Sequence, residues 1–294
     1  MSDLYLNNSA IHLKKLFLLK LNEFMTNYFS SDFKLGILGG GQLGKMLLYE
    51  TRKYDIQTWV MDPDEEAPCR ISANVFMKGN LREFEKVLEF GRNVDVLTFE
   101  IEGVNIEALR QLEKEGIKVF PSSQTLEKIQ DKSIQKEFYR ENKIPTSPFL
   151  RYSSKESLLK ALDHKEITLP FVWKSSTGGY DGRGVMVIKE EHDLQEIAEG
   201  PCIAEDLVSF KNELAVIVAR SPAGEVKTYP VVEMEFHPTA NQVEYVICPA
   251  RISDKIASNA REIAEKVSNA FEHVGLLAVE MFLTQDDEIL VNEV

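Results

Sequence analysis

The segment most typical of catalytic chemistry is a glycine-rich run that begins at a lysine. Lys174 ends a short apolar stretch, and the run KSSTGGYDGRG extends from it to Gly184. Such a loop can fold over a nucleotide and aim its backbone N–H groups at phosphate oxygens, while the lysine supplies a positive charge. The alternative is an ordinary glycine-rich hairpin. Four glycines beside a strand-end lysine favour the nucleotide loop, with Tyr180, Asp181 and Arg183 as its functional side chains.

Two glutamates near the carboxyl end of the sequence predict a metal site. If the turn between the last two strands is centred between Asp286 and Asp287, Glu280 lies directly opposite Glu293. Like charges opposite each other destabilise a ladder unless a divalent cation binds between them. Oxygen ligands of this kind suit magnesium bound to nucleotide phosphates. The alternative is a solvated face with both carboxylates turned outward.

A second glycine-rich turn lies nearer the amino terminus. The string GGGQLG, Gly39 to Gly44, follows an apolar strand and opens a helix, and Asp62 ends the next strand. This is the context of a dinucleotide-binding turn, with Asp62 as an acceptor for a ribose. A helix amino terminus with small residues can also receive any phosphate, or simply pack closely on the sheet. The turn alone therefore leaves an NAD(P)-dependent oxidoreductase open as an alternative.

Weaker candidates lie between these motifs. One predicted strand ends in residues that could offer backbone groups to an adenine edge: Glu205, Asp206, Leu207 and Val208. Glu213 follows as an acceptor for a ribose, although a strand end with a solvated turn explains the same residues. Lys132 and His237 are single residues of types that are common on surfaces and in loops, so they add little alone.

The elements that must position these residues fall into two regions. Strands at 34–38, 57–61, 94–99 and 118–120 alternate with helices at 45–53 and 106–115, which predicts a parallel, doubly wound α/β sheet. Beyond Pro121 come helices at 124–142, 153–163 and 254–274, and strands in hairpin order. These strands are expected at 171–174, 185–188, 202–205, 214–220, 226–232, 243–247, 277–283 and 288–294. This second region is predicted to be α+β, with a new domain beginning near Asp131.

Composition excludes several classes of partner. The net charge of −13 repels nucleic acid and anionic membranes, so neither is an expected partner. Three widely separated cysteines without a CxxC pair indicate reduced thiols and a cytoplasmic chain. In residues 1–33, lysines interrupt an apolar run at 13–21 that is too short to span a bilayer. A loosely ordered extension is expected there, with a basic amphipathic surface helix as the alternative.

In this order, the motifs resemble those of ATP-grasp enzymes, and more closely the carboxyaminoimidazole ribonucleotide synthases of purine biosynthesis. The strings that carry the resemblance are GGGQLGKM at 39–46, TFEIE at 98–102, KSSTGGYDGRG at 174–184 and NE at 292–293. The resemblance covers residues 34–294 and implies a Rossmann-like domain at 34–130, after the extension 1–33. A two-lobed ATP-grasp domain would follow at 131–294, with the lobe boundary near residue 207.

The resemblance also implies the ligands. ATP would lie between the two lobes, in contact with Lys132, Lys174, Gly179, Tyr180, Asp181, Gly182, Arg183, Gly184, Val185, Glu205, Asp206, Leu207, Val208, Glu213, His237, Asn292 and Glu293. Glu280 and Glu293 would hold magnesium, or manganese in its place. Aminoimidazole ribonucleotide and bicarbonate would meet Gln42, Leu43 and Glu100 in the first domain. Tyr180, Asp181 and Arg183, on the glycine-rich loop that would act as a lid, would also meet these two substrates and would be the catalytic residues.

The implied reaction is ATP-dependent carboxylation. ATP would phosphorylate bicarbonate to carboxyphosphate, which then carboxylates the ribonucleotide amine and releases phosphate. The resemblance also implies that the enzyme is a cytoplasmic homodimer. The family continues after NE with a small carboxyl-terminal domain, whereas this sequence ends at Val294, so that domain is expected to be absent. Another ATP-grasp carboxylase or ligase, or a non-catalytic ATP-binding remnant, remains open beside the oxidoreductase.

Overall fold

The amino-terminal part of the protein folds around a parallel sheet. In this computed structural model the described residues are 28–178, 184–237 and 243–294. The first sheet contains β1 (Lys34–Leu38), β2 (Gln57–Asp62), β3 (Val75–Lys78), β4 (Val96–Phe99) and β5 (Lys118–Val119). Its order is β3-β2-β1-β4-β5, and every neighbouring pair is parallel. The predicted α/β sheet is confirmed, with β3 as an additional strand.

Helices connect these strands and cover the sheet. They are α1 (Gln42–Thr51), α2 (Phe84–Gly91), α3 (Ile106–Lys114) and α4 (Ser123–Gln130), with a short 3-10 turn at Arg52–Tyr54. Helix α3 begins after Asn105, whose side chain accepts a hydrogen bond from the Ala108 N–H and so satisfies a free helix amide. Its apolar face buries Leu109 and Leu112 in the same core as the strand residue Leu97.

A small antiparallel sheet follows. Its strands are β6 (Phe149–Tyr152), β7 (Phe171–Ser175), β8 (Val185–Ile188) and β9 (Cys202–Asp206), in the order β6-β9-β7-β8. Helices α5 (Lys132–Glu141) and α6 (Lys155–Asp163) accompany them, with a 3-10 turn at Glu191–Gln195. The single helix predicted at 124–142 is divided at Asp131, because the Asp131 carboxylate accepts hydrogen bonds from the Ser133 and Ile134 N–H groups and begins α5 there.

A larger sheet forms the carboxyl-terminal part. It contains β10 (Phe210–Arg220), β11 (Val226–Thr228), β12 (Val232–Phe236), β13 (Val243–Ile247), β14 (Gly275–Thr284) and β15 (Ile289–Glu293). The order is β13-β12-β10-β14-β15, with β11 paired to β10, and the pairings are antiparallel. The strand predicted at 226–232 is two strands in the structure. The α+β prediction for this region is otherwise confirmed.

One long helix packs on the larger sheet. Helix α7 (Asp254–Phe271) begins after Ser253, whose hydroxyl accepts a hydrogen bond from the Ile256 N–H. Its apolar stripe, which includes Ala264 and Val267, joins the core formed by β10 and β14. The helix ends at Phe271, before the predicted end at residue 274, because Glu272 adopts the left-handed conformation with φ 51°.

Two further features bear on the predictions from composition. Cys69, Cys202 and Cys248 are all free thiols. Within the part of the chain that the structure describes, no helix is both long enough and apolar enough to cross a membrane.

Candidate active site

A buried lysine connects the small sheet to the last strand of the large sheet. Lys174 on β7 lies diagonal to Glu205 on β9, so the two side chains share one face of the small sheet. The Lys174 Nζ lies 3.2 Å from Glu205 Oε1 and donates a hydrogen bond of 2.7 Å to Asn292 Oδ1 on β15. Lys174 is 5% exposed and Glu205 is 3% exposed. A positive charge is therefore held at the junction of the two sheets, largely out of water.

A β-bulge at the end of β15 turns two consecutive side chains towards this junction. Glu280 on β14 pairs with Glu293, and Met281 pairs with Val291, so Asn292 is the extra residue. Side chains of a regular strand alternate between faces, and a bulge re-aims one of them. The Asn292 side chain accepts from Lys174, and the Glu293 carboxylate forms an ion pair with Lys132.

The predicted pairing of Glu280 with Glu293 is confirmed, but the predicted register is not uniform. Nearer the turn, Leu283 faces Ile289, which differs by one residue from a turn centred between Asp286 and Asp287. The bulge at Asn292 then shifts the pairing by one residue and brings the two glutamates opposite each other. The two departures from the simple hairpin cancel at this pair.

Burial and like charge raise the pKa values of the acids around this pair. Burial raises the pKa of Glu280 to about 7, and the facing Glu293 adds to the rise. Burial also raises the pKa of Glu213 on β10 to about 7, with a further contribution from Glu280. For Glu293, burial acts in the same direction, but Lys132 and Lys174 outweigh it and hold the pKa below its ordinary value.

These carboxylates fit a magnesium ion bound together with a nucleotide. Glu280 takes up a proton near neutral pH because it is buried and because Glu293 faces it, and a divalent cation could replace that proton. Among residues 28–178, 184–237 and 243–294, no three His, Cys, Asp or Glu side chains converge as a complete metal centre. The remaining ligands would be phosphate oxygens and water, which is the usual situation for magnesium at nucleotide sites.

The first turn of α5 contacts the base of the glycine-rich run. The Lys132 N–H donates a hydrogen bond of 2.7 Å to the Ser176 carbonyl, and the hydroxyl oxygens of Ser133 and Ser176 lie 2.5 Å apart. Lys132 also reaches Glu293 through its side chain. The start of α5 therefore places Lys132 beside Glu293 and anchors the chain that leads into the glycine-rich loop.

The segment from Glu205 to Val208 joins the two sheets. Strand β9 ends at Asp206, whose N–H donates to the Pro148 carbonyl, and the chain then crosses to β10, which begins at Phe210. The Phe210 ring stacks on Phe282 of β14 with the ring centroids 4.7 Å apart. Glu213, farther along β10, faces Phe282 in the ladder. His237 directly follows β12.

The glycine turn at Gly39 to Gly44 is closed by carboxylates of the protein itself. The Gly40 N–H donates to Asp62 Oδ2 at 2.7 Å, and the Gly41 N–H donates to Glu100 Oε1 at 2.9 Å. These amides are the groups that would otherwise bind a pyrophosphate at the start of α1. Two anions already occupy that place, so the geometry argues against a dinucleotide. The Asp62 carboxylate accepts a hydrogen bond from the turn. The role of ribose acceptor considered for Asp62 belongs to the dinucleotide alternative.

Gly39 shows why the turn needs glycine. Its φ of 101° lies in the region that L side chains rarely adopt, and an added Cβ would lie 2.6 Å from Glu100 Cγ. Glu100 therefore packs directly on the turn. The next residues, Gln42 and Leu43, begin α1 and are exposed. The exposed helix start places Gln42 and Leu43 where a ligand can reach them.

Five of the predicted nucleotide-binding residues lie outside the described residues: Gly179, Tyr180, Asp181, Gly182 and Arg183. The two ends of the loop are in place: the Gly184 carbonyl accepts a hydrogen bond of 2.8 Å from the Ser175 N–H, and Val185 pairs with Lys174 in the ladder of β7 and β8.

Three residues near the junction were not among the sequence candidates. Lys136 and Ser147 contact Glu205 on the side away from Lys174. Protein atoms around Glu102, in the loop after β4, raise the pKa of that residue, while Lys132 lowers it and Glu293 raises it further. Glu102 is part of the TFEIE string, which was a usable signal, whereas Lys136 resembles any polar residue of a helix.

Comparison with known proteins identifies the two regions. Residues 137–294 match the model of the ATP-grasp domain, and residues 33–130 match the ribonucleotide synthetase preATP-grasp domain. Phosphoribosylaminoimidazole carboxylase of Candida glabrata is 37% identical over 88% of this chain and 46% of its own length. N5-carboxyaminoimidazole ribonucleotide synthase of Bacillus subtilis is 37% identical over 88% of this chain and 68% of its own length. The chain thus spans about half of the fungal relative and about two thirds of the bacterial one.

Solved structures give the same relationship. The N5-carboxyaminoimidazole ribonucleotide synthetase of Thermotoga maritima superposes with a TM-score of 0.79 at 40% identity, over 89% of this chain and 68% of that one. The carboxyaminoimidazole ribonucleotide synthase of Aspergillus clavatus in complex with ATP superposes with a TM-score of 0.83 at 36% identity, over 91% and 70%. The Aspergillus clavatus enzyme with ADP and 5-aminoimidazole ribonucleotide gives 0.80 at 35% identity, over 91% and 70%. This chain therefore belongs to the ATP-grasp family of N5-carboxyaminoimidazole ribonucleotide synthases.

Proposed function

We propose that this chain binds ATP with magnesium at the junction of its two carboxyl-terminal sheets and uses it to carboxylate aminoimidazole ribonucleotide. Bicarbonate is a poor electrophile, and phosphorylation to carboxyphosphate gives it a good leaving group. The ribonucleotide amine then attacks the activated carbonyl carbon, and ADP and phosphate are the other products. Two findings support this choice of substrates. One is the relative named N5-carboxyaminoimidazole ribonucleotide synthase, and the other is the Aspergillus clavatus structure with ADP and 5-aminoimidazole ribonucleotide.

The observation that carries the proposal is the convergence on the bulged end of β15. Lys174 binds Asn292, Lys132 binds Glu293, and Glu280 faces Glu293 across the ladder. Phosphoryl transfer depends on placing positive charge around the transferred group and on holding it in line. In this proposal the two lysines hold the phosphates, and Glu280 and Glu293 hold magnesium, or manganese, which offsets the charge on the phosphate oxygens.

The nucleotide base and sugar would occupy the connection between the sheets. Backbone groups of Glu205 to Val208 would meet the adenine edge, and Glu213 would accept from the ribose. His237, Gly184 and Val185 would border the same site. The stacked pair of Phe210 and Phe282 supplies an apolar surface beside this connection.

The acceptor would lie at the glycine turn of the first domain. Gln42 and Leu43 are exposed there, and Glu100 holds the turn with one carboxylate oxygen. Tyr180, Asp181 and Arg183, on the lid, would be the catalytic residues that meet bicarbonate and the acceptor. The lid would also exclude water, because carboxyphosphate is hydrolysed readily.

We further propose domain limits of 34–130 and 131–294, with the lobes of the second domain divided near residue 207. The three sheets and the two family matches support this division. A cytoplasmic homodimer is the assembly that we propose for this chain.

Phosphate release tests the reaction. We expect release from ATP to require bicarbonate and magnesium and to increase when aminoimidazole ribonucleotide is added. Stimulation by a different amine, with none by aminoimidazole ribonucleotide, would replace the proposed acceptor. A rate of phosphate release that does not depend on bicarbonate would overturn the proposed carboxylation.

A further inference from the structure

Lys136 is the most deeply buried charged side chain near the proposed nucleotide site that the proposed reaction does not use. It lies on α5, one turn beyond Lys132, and is 2% exposed. Its Nζ donates to Thr146 Oγ1 at 2.6 Å and to Ser147 Oγ at 3.0 Å, and lies 3.1 Å from Glu205 Oε2. All three donors of the ammonium group therefore have partners.

The cluster around Glu205 carries one more positive than negative charge. Lys136 and Lys174 approach different oxygens of the Glu205 carboxylate. Ser147 donates a hydrogen bond of 2.7 Å to the oxygen on the Lys136 side, whereas the other oxygen, Oε1, has no aligned hydrogen bond. Lys174 instead directs its hydrogen bond to Asn292. The carboxylate is thus bound mainly by Lys136 and Ser147.

Burial makes this arrangement costly, so the charge balance matters. Burial lowers the pKa of Lys136 to about 8, and Glu205 opposes that fall. Burial would raise the pKa of Glu205, but Lys174 and Lys136 together hold it below its ordinary value. Without Lys136, one lysine would face one carboxylate in a medium of low dielectric constant, and the pair would have no net charge.

We propose that Lys136 is a positioning residue of the nucleotide site, whose charge offsets Glu205 so that Lys174 keeps its own charge for an anionic phosphate. The inference rests on the proposed role of Lys174 in binding ATP. It predicts a defect that depends on ligand charge: phosphates should lose affinity when Lys136 is neutralised, and an uncharged nucleoside should not. A merely structural role of Lys136 would reduce both affinities together.

A second link ties Lys136 to the bulged strand. Thr146, which accepts from Lys136, donates a hydrogen bond of 2.6 Å to the Val291 carbonyl, next to the bulge residue Asn292. Through this hydroxyl the lysine also supports the strand end that receives Lys174. Both connections direct the effect of Lys136 to the same lysine.

The test compares an ATP analogue that cannot be hydrolysed, with magnesium, against adenosine. The variants are Lys136→Met and Lys136→Gln. Glutamine retains a hydrogen-bond donor, so Lys136→Gln replaces Lys136→Met if the methionine variant fails to fold. We expect each variant to lose about tenfold in affinity for the analogue and less than about threefold for adenosine. Lys160→Met is the control for net charge, because Lys160 is an exposed helix residue in the same region. Its two affinities should match those of the parent.

Adding Glu205→Gln to Lys136→Met makes the result decisive. The double variant leaves Lys174 without an opposing carboxylate, so the ratio of the analogue affinity to the adenosine affinity should return to within about threefold of the parent. An unchanged analogue affinity in the Lys136 variants, or an equal loss for both ligands, would overturn the inference.

Lys174→Met separates the two proposals. If it also leaves the analogue affinity unchanged, the proposed nucleotide site fails as well; if it weakens binding, only the role of Lys136 fails.

Discussion

Glu280 on β14 lies directly opposite Glu293 on β15, at the one point where a bulge shifts the register of that hairpin. Two facing acids would weaken an ordinary ladder. Here Lys132 and Lys174 offset the charge of Glu293. Burial raises the pKa of Glu280 to about 7, and burial together with Glu280 in turn raises the pKa of Glu213. The pair is stable enough to form, but it is better suited to a bound cation than to solvent.

Lys174 and Glu293 should both be required for nucleotide binding. Each supplies a charge-assisted contact, Lys174 from a buried position and Glu293 from a partly buried one. Lys174→Ala and Glu293→Gln should therefore each weaken binding of magnesium with an ATP analogue by about tenfold or more. Calorimetric titration measures the effect. Lys160→Ala, on the exposed face of α6, serves as the control and should bind as the parent does. Parent-like affinity in both site variants would remove the site assignment.

Glu280 should stabilise the ligand complex at the expense of the ligand-free fold. Its folded pKa of about 7 is above the value of an unfolded glutamate, so the folded chain holds a proton that the unfolded chain releases, and stability falls as pH rises from about 4.5 to 7. Glu280→Gln should therefore raise the ligand-free unfolding free energy at pH 8 by about 1 to 3 kcal/mol. Chemical denaturation at pH 8 and at pH 4.5 measures this.

The contrast between the two pH values is the internal control for Glu280→Gln. Near pH 4.5 the parent already carries the proton, so parent and variant should differ little there. A variant that is less stable than the parent at pH 8 would show that the ionised form of Glu280 helps the fold, against our account.

Magnesium-dependent ATP binding should weaken as the solution becomes more acidic. Protons compete with the cation for Glu280, whose pKa is about 7. Affinity measured between pH 8 and pH 6 should fall by up to about tenfold for each unit below pH 7. The Glu280→Gln variant should show a shallower pH dependence. An equally steep dependence in the variant would mean that another group titrates.

Gly39 should be sensitive to a single added methyl group. Its φ of 101° is unfavourable for alanine, and the new Cβ would meet Glu100. Gly39→Ala should therefore destabilise the first domain by more than about 1 kcal/mol. Gly116→Ala is the matched control, since Gly116 has a φ of 90° but no atom within 4 Å of an added Cβ. The difference between the two variants in thermal unfolding isolates the contact with Glu100. Equal destabilisation would show that Glu100 does not pack on the turn.

Several elements of the fold could be predicted because their signals are local. The strand-turn-helix at Gly39 and the apolar stripe of α7 both follow from residue spacing alone. The division of 124–142 into two helices was not predicted, because Asp131 reads as one more polar residue in a helical pattern. Only the structure shows that its side chain caps α5.

The site could be predicted in outline, but the reasons for its geometry could not. The pairing of Glu280 with Glu293 depends on the bulge at Asn292, which has no glycine or proline to mark it. Asp62 has the position of a ribose acceptor in sequence, yet it binds the Gly40 N–H. Lys136 is a core residue only because Glu205, far away in sequence, lies beside it. Contacts between distant residues are what spacing along the chain cannot reveal.

Titration of this chain with the non-hydrolysable ATP analogue, with and without magnesium, and separately with NADH, distinguishes an ATP site at the junction of the sheets from a dinucleotide site at the glycine turn. We predict binding of the analogue that magnesium strengthens, and no saturable binding of NADH. Binding of NADH, without binding of the analogue, would contradict the proposed ATP site and would indicate that the glycine turn at Gly39 binds a dinucleotide.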